Sequence, residues 1–195
     1  MKPEVRASWS KLTMARVKQL GSMERERVLS EVGLLRAVVR EAALLSWLDL
    51  EVQVGLCGAV ERALGLSGSR EFWRGFMLDA FGRALLRPVL LGARAIYGGG
   101  TLGYIRMAPR VHKLATRGVG ELSVEGVESG LAGRAVISAK YLPAAVTRDR
   151  TFLLAYCGTC LAVFDLGGAT GEVDLDLSEA DKGRARIELS WEVRS

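Results

Sequence analysis

Apolar residues recur at spacings of three and four through the first half of the chain and at spacings of two through much of the second. Between Leu34 and Trp47, LLRAVVREAALLSW sets Leu34, Leu35, Val38, Val39, Ala42 and Leu45 near one side of a 3.6-residue period and Arg36, Arg40 and Glu41 elsewhere. This predicts a helix with one face in the core. Before it, Ser22, MERERVLSEV and Gly33 predict a charged, partly solvated helix with acids in its first turn and a glycine stop. Asp49 is placed to cap a third helix through LEVQVGLCGAVERALG, ended by Gly65, and Ser69 to cap a fourth through REFWRGFMLDAFGRALL. Pro88 lacks a backbone donor and disfavours helix in the residue before it, so Arg87 marks a boundary. VLLGARAIYG forms another short helix, and Gly98 to Gly100 break the chain before TLGYIRMAPRVHKLATRG, which reads as one more.

After Gly118 the period changes. GELSVEGVESG and LAGRAVISAKYL alternate around a Glu-Ser-Gly turn, as an antiparallel pair with one wet face does. TGEVDLDLSE and RARIELSWEV alternate too, with Val173, Leu175 and Leu177 facing one way and Ile187, Leu189 and Trp191 likewise; ADKG supplies their turn. Between the pairs, residues from about Asp149 to Phe164 read as a helix closed by Gly167 and Gly168. The predicted class is α+β: a helical N-terminal half packed on a four-stranded antiparallel sheet ordered strand, strand, helix, strand, strand. Residues 1–33 read as an N-terminal helical extension and 34–195 as a single α+β ligand-binding-like domain.

Composition adds limits. A chain of 195 residues with 49% apolar and 25% charged residues has enough apolar side chains for one core without disulfides or metals. No apolar run reaches the roughly 18 charge-free residues of a membrane span, and the charged N-terminus lacks the apolar centre of a secretory signal. Three cysteines, an odd number, fit a reducing compartment, and a cytoplasmic location is expected. The net charge of +5 hides an asymmetry: residues 1–118 hold 19 Lys and Arg against 10 Asp and Glu, residues 119–195 hold 8 against 12. Such a division serves either an anionic partner or complementarity within one fold.

Few residues carry candidate chemistry. Cys157 and Cys160 lie three apart on an apolar helix beside Leu153, Leu161 and Phe164, and read as core packing rather than a redox pair, which belongs at a helix N-terminus. With Cys57 and His112 they make the four ligands a structural zinc takes, a weaker alternative because only the pair has local ligand spacing. His112 is the only histidine, hence the only imidazole ligand or base, and is expected at the surface or boundary of a helix that carries Arg106, Arg110, Lys113 and Arg117 on one face. That basic stripe suits phosphate, an acidic protein or nucleic acid, although the aromatic interleaving and helix-turn-helix pattern of nucleic-acid binders are missing; pairing with Glu172, Asp174 and Asp176, or solvation, is preferred. No phosphate loop ends in Lys-Ser or Lys-Thr, and YGGGTLG does not follow a strand. No catalytic constellation is expected.

Phe72 and Trp73, Pro88, Gly98 to Gly100, Pro109, the Gly118 to Gly120 approach to the sheet, and later Pro143, Gly158, Gly167 to Gly171 and Trp191 form a pattern that resembles a group of bacterial paralogues of about this length. That group is distantly similar to 4-vinyl reductase and haem nitric-oxide-binding domains, which share the ligand-binding fold of nitric-oxide signalling and Golgi transport. The resemblance covers roughly residues 35 to 193 and rests on shape-setting residues. It implies an apolar pocket between helices and sheet for a lipid-like or tetrapyrrole ligand, or a surface for assembly. The Tyr-x-Ser-x-Arg motif that accompanies the proximal histidine of haem-binding members is absent, which weighs against haem. The expectation is a non-enzymatic sensor or protein-interaction module without a cofactor. Its pocket candidates are Phe72, Phe76, Phe81, Tyr97, Phe152, Tyr156, Cys160 and Phe164, large or soft groups on faces that could meet. A small apolar ligand, a protein partner and a homodimer through exposed helical surface are expected partners. The alternatives are a metal or haem protein using His112 and the cysteines, or binding of nucleic acid or an acidic partner through the basic stripe.

Overall fold

The computed structural model describes residues 2–82, 87–129 and 131–194. In chain order the elements are β1 (Glu4–Arg6), α1 (Ala7–Val17), α2 (Ser22–Val32), α3 (Leu35–Glu41), β2 (Trp47–Asp49), α4 (Leu50–Gly82), α5 (Arg87–Tyr97), α6 (Thr101–Ile105), α7 (Ala108–Ala115), β3 (Thr116–Arg117), β4 (Glu121–Ser129), β5 (Ala132–Lys140), α8 (Ala144–Arg148), α9 (Thr151–Gly167), β6 (Ala169–Asp176) and β7 (Ala185–Val193). The fold is α+β as the periodicities predict, with a four-stranded antiparallel sheet ordered β4-β5-β7-β6 in the C-terminal half.

The sheet alternates as its sequence does. Ala135, Ile137, Val173, Ile187, Leu189 and Trp191 point inward and are buried, whereas Arg134, Glu172, Asp174, Arg186 and Glu188 point to the exposed face. The inner face meets α6 and α9 through Leu102, Ile105, Cys157, Cys160 and Phe164. Each such apolar side chain, fully buried, contributes roughly 1.5–3 kcal/mol. Helix α4 crosses α9 closely at Gly158, where a Cβ would stand 2.7 Å from the Cβ of Trp73 and 2.9 Å from the carbonyl oxygen of Arg70. Arg74 of α4 clamps the same pair, donating to both carboxylate oxygens of Asp165 on α9 at 2.7 Å.

Several expectations fail in the first half. The helix predicted through Leu34–Trp47 stops at Glu41, where Ala42 turns to extended backbone, and Trp47–Asp49 instead pairs with β1. Of the face expected in the core, Val39 is buried, while Leu34, Val38 and Leu45 stand exposed, because a seven-residue helix presents barely two turns to α4. Gly65 does end the third helix, as expected: with φ 70° and ψ 176° its backbone is non-helical and divides α4 into two helices, but the second begins at once and buries Ser69 within it rather than using it as a cap. A second sheet, β2-β1-β3, has no counterpart in the reading of an all-helical first half, since strands of two or three residues leave no period to detect. The segment 101–118 is not one helix: α6 and α7 are separated at Arg106–Met107, and Arg117 lies in β3.

Candidate functional site

Between α1 and α4 on one side and α6, α7, α9 and β5 on the other lies a cavity of about 110 Å³. Its wall is apolar and aromatic: Trp9 from α1, Trp73, Phe76, Met77 and Phe81 from α4, Tyr104 and Ile105 from α6, Phe152, Tyr156 and Val163 from α9. Phe76 lies between Trp9 and Trp73, tilted against the first and edge-on to the second, with ring centroids 5.6 and 5.3 Å apart. Gln53 is the amide in this wall. Its Oε1 accepts from Ser10 Oγ at 2.8 Å and its Nε2 lies 3.4 Å from Thr13 Oγ1, so buried polar residues of α1 hold it in place.

His112 is the unusual member. It is 5% exposed, contrary to the surface or boundary position expected of it, and it faces the cavity with Ala108, Val111 and Ala115. The correction follows from helix geometry. On α7, Arg110 and Lys113 project to solvent, and at 100° per residue positions 108, 111, 112 and 115 fall on the opposite side. Neither ring nitrogen makes a hydrogen bond. The carbonyls of Val119 and Gly120 are near enough to favour the protonated ring, but burial is the stronger effect and lowers its pKa below that of an ordinary imidazole. The ring stands edge-on to Tyr156 with centroids 6.2 Å apart. A buried neutral imidazole with a donor and an acceptor both unmet is costly to the fold, and a ligand supplying either partner would recover that cost.

Burial acts on three further groups of the wall, Cys57, Cys160 and Tyr156, and favours their neutral forms. Burial pushes up the Cys57 and Cys160 thiols and the Tyr156 phenol, and it raises the Cys157 thiol, which packs toward the sheet, to about 12. All three cysteines are buried and free. Among the described residues, no carboxylate lines the cavity. Among the described residues, no group of three or more His, Cys, Asp or Glu side chains is placed to hold a metal ion.

Of the pocket candidates, Phe76, Phe81, Phe152, Tyr156 and Cys160 lie on this cavity. The remaining three lie elsewhere. Phe72 packs edge-on against Trp73, Phe164 lies against Trp191, and Tyr97 lies beneath the Arg110 guanidinium, 5.7 Å from ring centroid to Cζ. Cys57, His112 and Cys160 share the wall but arrive from different helices. Trp9, Gln53, Trp73, Tyr104 and Met107 escaped sequence reasoning. Trp73 was noted as a shape residue, and α1, whose buried residues are chiefly small and polar, offers no apolar stripe to find.

The basic stripe is exposed but not a single helical face. Arg106 caps α6, Arg110 and Lys113 lie on α7, and Arg117 pairs with Glu4 and stacks over Trp47. Glu172, Asp174 and Asp176 sit on the sheet far from this stripe in the strand order, and no described salt bridge joins them to it.

No protein-family model matches the chain, and no curated protein matches it in sequence. Solved structures do match. An Fe(II) unliganded H-NOX protein mutant from K. algicida superposes with a TM-score of 0.64 at 10% identity, covering 98% of this chain and 97% of that one. A structure probing heme distortion in the H-NOX family gives 0.64 at 10% identity over 97% and 95%. An oxygen-binding H-NOX domain related to soluble guanylate cyclases, as its oxygen complex, gives 0.59 at 12% identity over 97% and 95%. Over nearly its whole length, then, the chain has the H-NOX fold, distantly similar to those domains.

Proposed function

We propose that the chain is a ligand-sensing domain that takes a small apolar molecule, bearing one polar atom, into the cavity beside His112. The observation that carries this reading is the buried imidazole with both nitrogens unpartnered in an otherwise aromatic wall. A molecule there touches α1 and α4 on one side and α7 and α9 on the other, so its binding free energy bears on their spacing. With the Cys57 and Cys160 thiols and the Tyr156 phenol held neutral by burial and no carboxylate in the described lining, the site suits binding rather than catalysis.

Haem, which the fold brings to mind, asks for an axial donor, room for a macrocycle and partners for two propionates. His112 meets the first requirement. The cavity of about 110 Å³ falls below the roughly 300–1,000 Å³ of sites for drug-sized molecules. The described lining contains no Lys or Arg. The donor fits iron, and the space and charge do not fit the porphyrin. A single aromatic ring fits better: a comparable apolar cavity of about 150 Å³ takes benzene.

Thermal-shift and calorimetric titrations with phenol, benzene and hemin test this. Phenol is expected to bind saturably, more tightly than benzene, and to lose that advantage in His112→Leu. A stoichiometric Soret band on hemin addition that disappears in the variant overturns the reading in favour of haem. Failure of both phenol and benzene to bind overturns it as well.

A further inference from the structure

We propose that the face formed by α5 and α7 docks on an anionic membrane surface. Between Ala80 and Gly120 the sequence has no Asp or Glu and seven Lys and Arg. On α5, Arg87, Leu91 and Arg94 follow at spacings of four and three, and all are exposed. On α7, Arg110, Lys113 and Leu114 do the same at three and four from Arg110. The two helices are neighbours, because Arg110 lies over the Tyr97 ring that ends α5. Leu91 and Leu114 are 57% and 55% exposed beside these cations.

The mixture selects the partner. Phosphates of a nucleic-acid duplex reward the cations but give nothing to exposed Leu91 and Leu114. A bilayer with anionic headgroups rewards both at once, the cations at headgroup level and the apolar side chains just beneath it. The opposite side of the molecule reinforces the choice. α6 packs on the inner face of the sheet, and the outer face, turned away from it, carries Glu172, Asp174, Asp176, Glu188 and Glu192, which outnumber Arg134 and Arg186 there. This charge separation orients the α5–α7 face toward a negative surface and the acidic face away from it. No described helix is long and apolar enough to span a bilayer, so the contact is peripheral. The proposal rests on this surface alone and stands apart from the cavity ligand.

Co-sedimentation with vesicles of phosphatidylcholine, with and without phosphatidylserine, tests it. The protein is expected to partition onto the mixed vesicles only and to be released as salt rises. Arg94→Gln and Lys113→Gln are each expected to lower the partition coefficient about fivefold. Leu91→Ser with Leu114→Ser is expected to weaken binding while leaving its salt dependence. All are surface changes, and unchanged circular dichroism melts confirm folding. Equal binding to neutral vesicles, or none to the mixed ones, overturns the proposal. So does duplex DNA binding that displaces vesicles and is indifferent to the leucine changes.

Discussion

Replacing His112 with leucine is expected to stabilise the ligand-free protein, the reverse of what a core substitution usually does. The side chain is 5% exposed, and both ring nitrogens lack partners. An unmet buried donor or acceptor costs about 1–3 kcal/mol, and leucine has neither. The change gives up the edge-on contact with Tyr156, centroids 6.2 Å apart, which is worth about 0.5–1.5 kcal/mol. Leucine is close to imidazole in volume, and the adjoining cavity absorbs the difference in shape, so overpacking adds little. The expected net gain is about 1 kcal/mol near pH 7.5, read as a rise in melting temperature of about 2–4 °C per kcal/mol for a chain of this size.

The pH dependence sharpens the test. Burial lowers the His112 pKa in the folded state, so below about pH 6.5 the unfolded chain binds a proton that the folded chain refuses. Native stability linked to this group is therefore complete above that pH and falls as pH drops toward the folded pKa, by up to about 1.4 kcal/mol per pH unit. The leucine variant has no such loss, so its advantage widens between pH 7.5 and 5.5. Urea melts followed by circular dichroism at both pH values measure it. A variant less stable than the parent at pH 7.5, with an unchanged pH slope, would show that the imidazole is a satisfied structural group and would refute the reasoning.

Two further outcomes follow from the packing. Gly158→Ala is expected to cost about 1–3 kcal/mol in the same melts, because the new methyl group meets Trp73 and the Arg70 carbonyl at the α4–α9 crossing; a neutral result would mean that the helices separate freely there. The native thiols are expected to resist iodoacetamide at pH 8 and to react together only in denaturant, since all three are buried and burial raises their pKa values; rapid labelling of any one in the native state contradicts this.

The C-terminal half was legible because each signal there was long and local. Nine-residue strands such as β5 and β7 run through more than four alternations, and Gly167 and Gly168 mark the end of α9. The first half was less so. A three-residue strand such as β1 is made by its partners, Leu48 and Thr116 flanking Val5, and not by any pattern of its own. The aromatic residues of α4 and α9 named as pocket candidates do in part share one cavity, but sequence could not separate Phe76, which lines it, from Phe72 one turn earlier, which does not. His112 was readable in principle: its angular distance from Arg110 and Lys113 already sets it among Ala108, Val111 and Ala115. The cations drew attention to the wrong side of the helix.

That the H-NOX fold persists at about 10% identity around a cavity of about 110 Å³ has a physical reading. The fold depends on conditions that many sequences satisfy: alternation along the four strands, a close crossing of α4 over α9 at Gly158, and a sheet whose inner face is capped by α6 and α9. The cavity depends on the sizes of individual side chains. Trp9, Trp73, Phe76 and Tyr156 project bulky rings toward the same space, and such rings occupy volume that a macrocycle would need without disturbing the backbone that holds them. What those rings leave is a small apolar space with one unmet imidazole on its wall. A fold can therefore keep its walls and change its occupant, and in the function proposed here the wall chemistry would select a ligand by a single hydrogen bond to His112 and the volume of one ring.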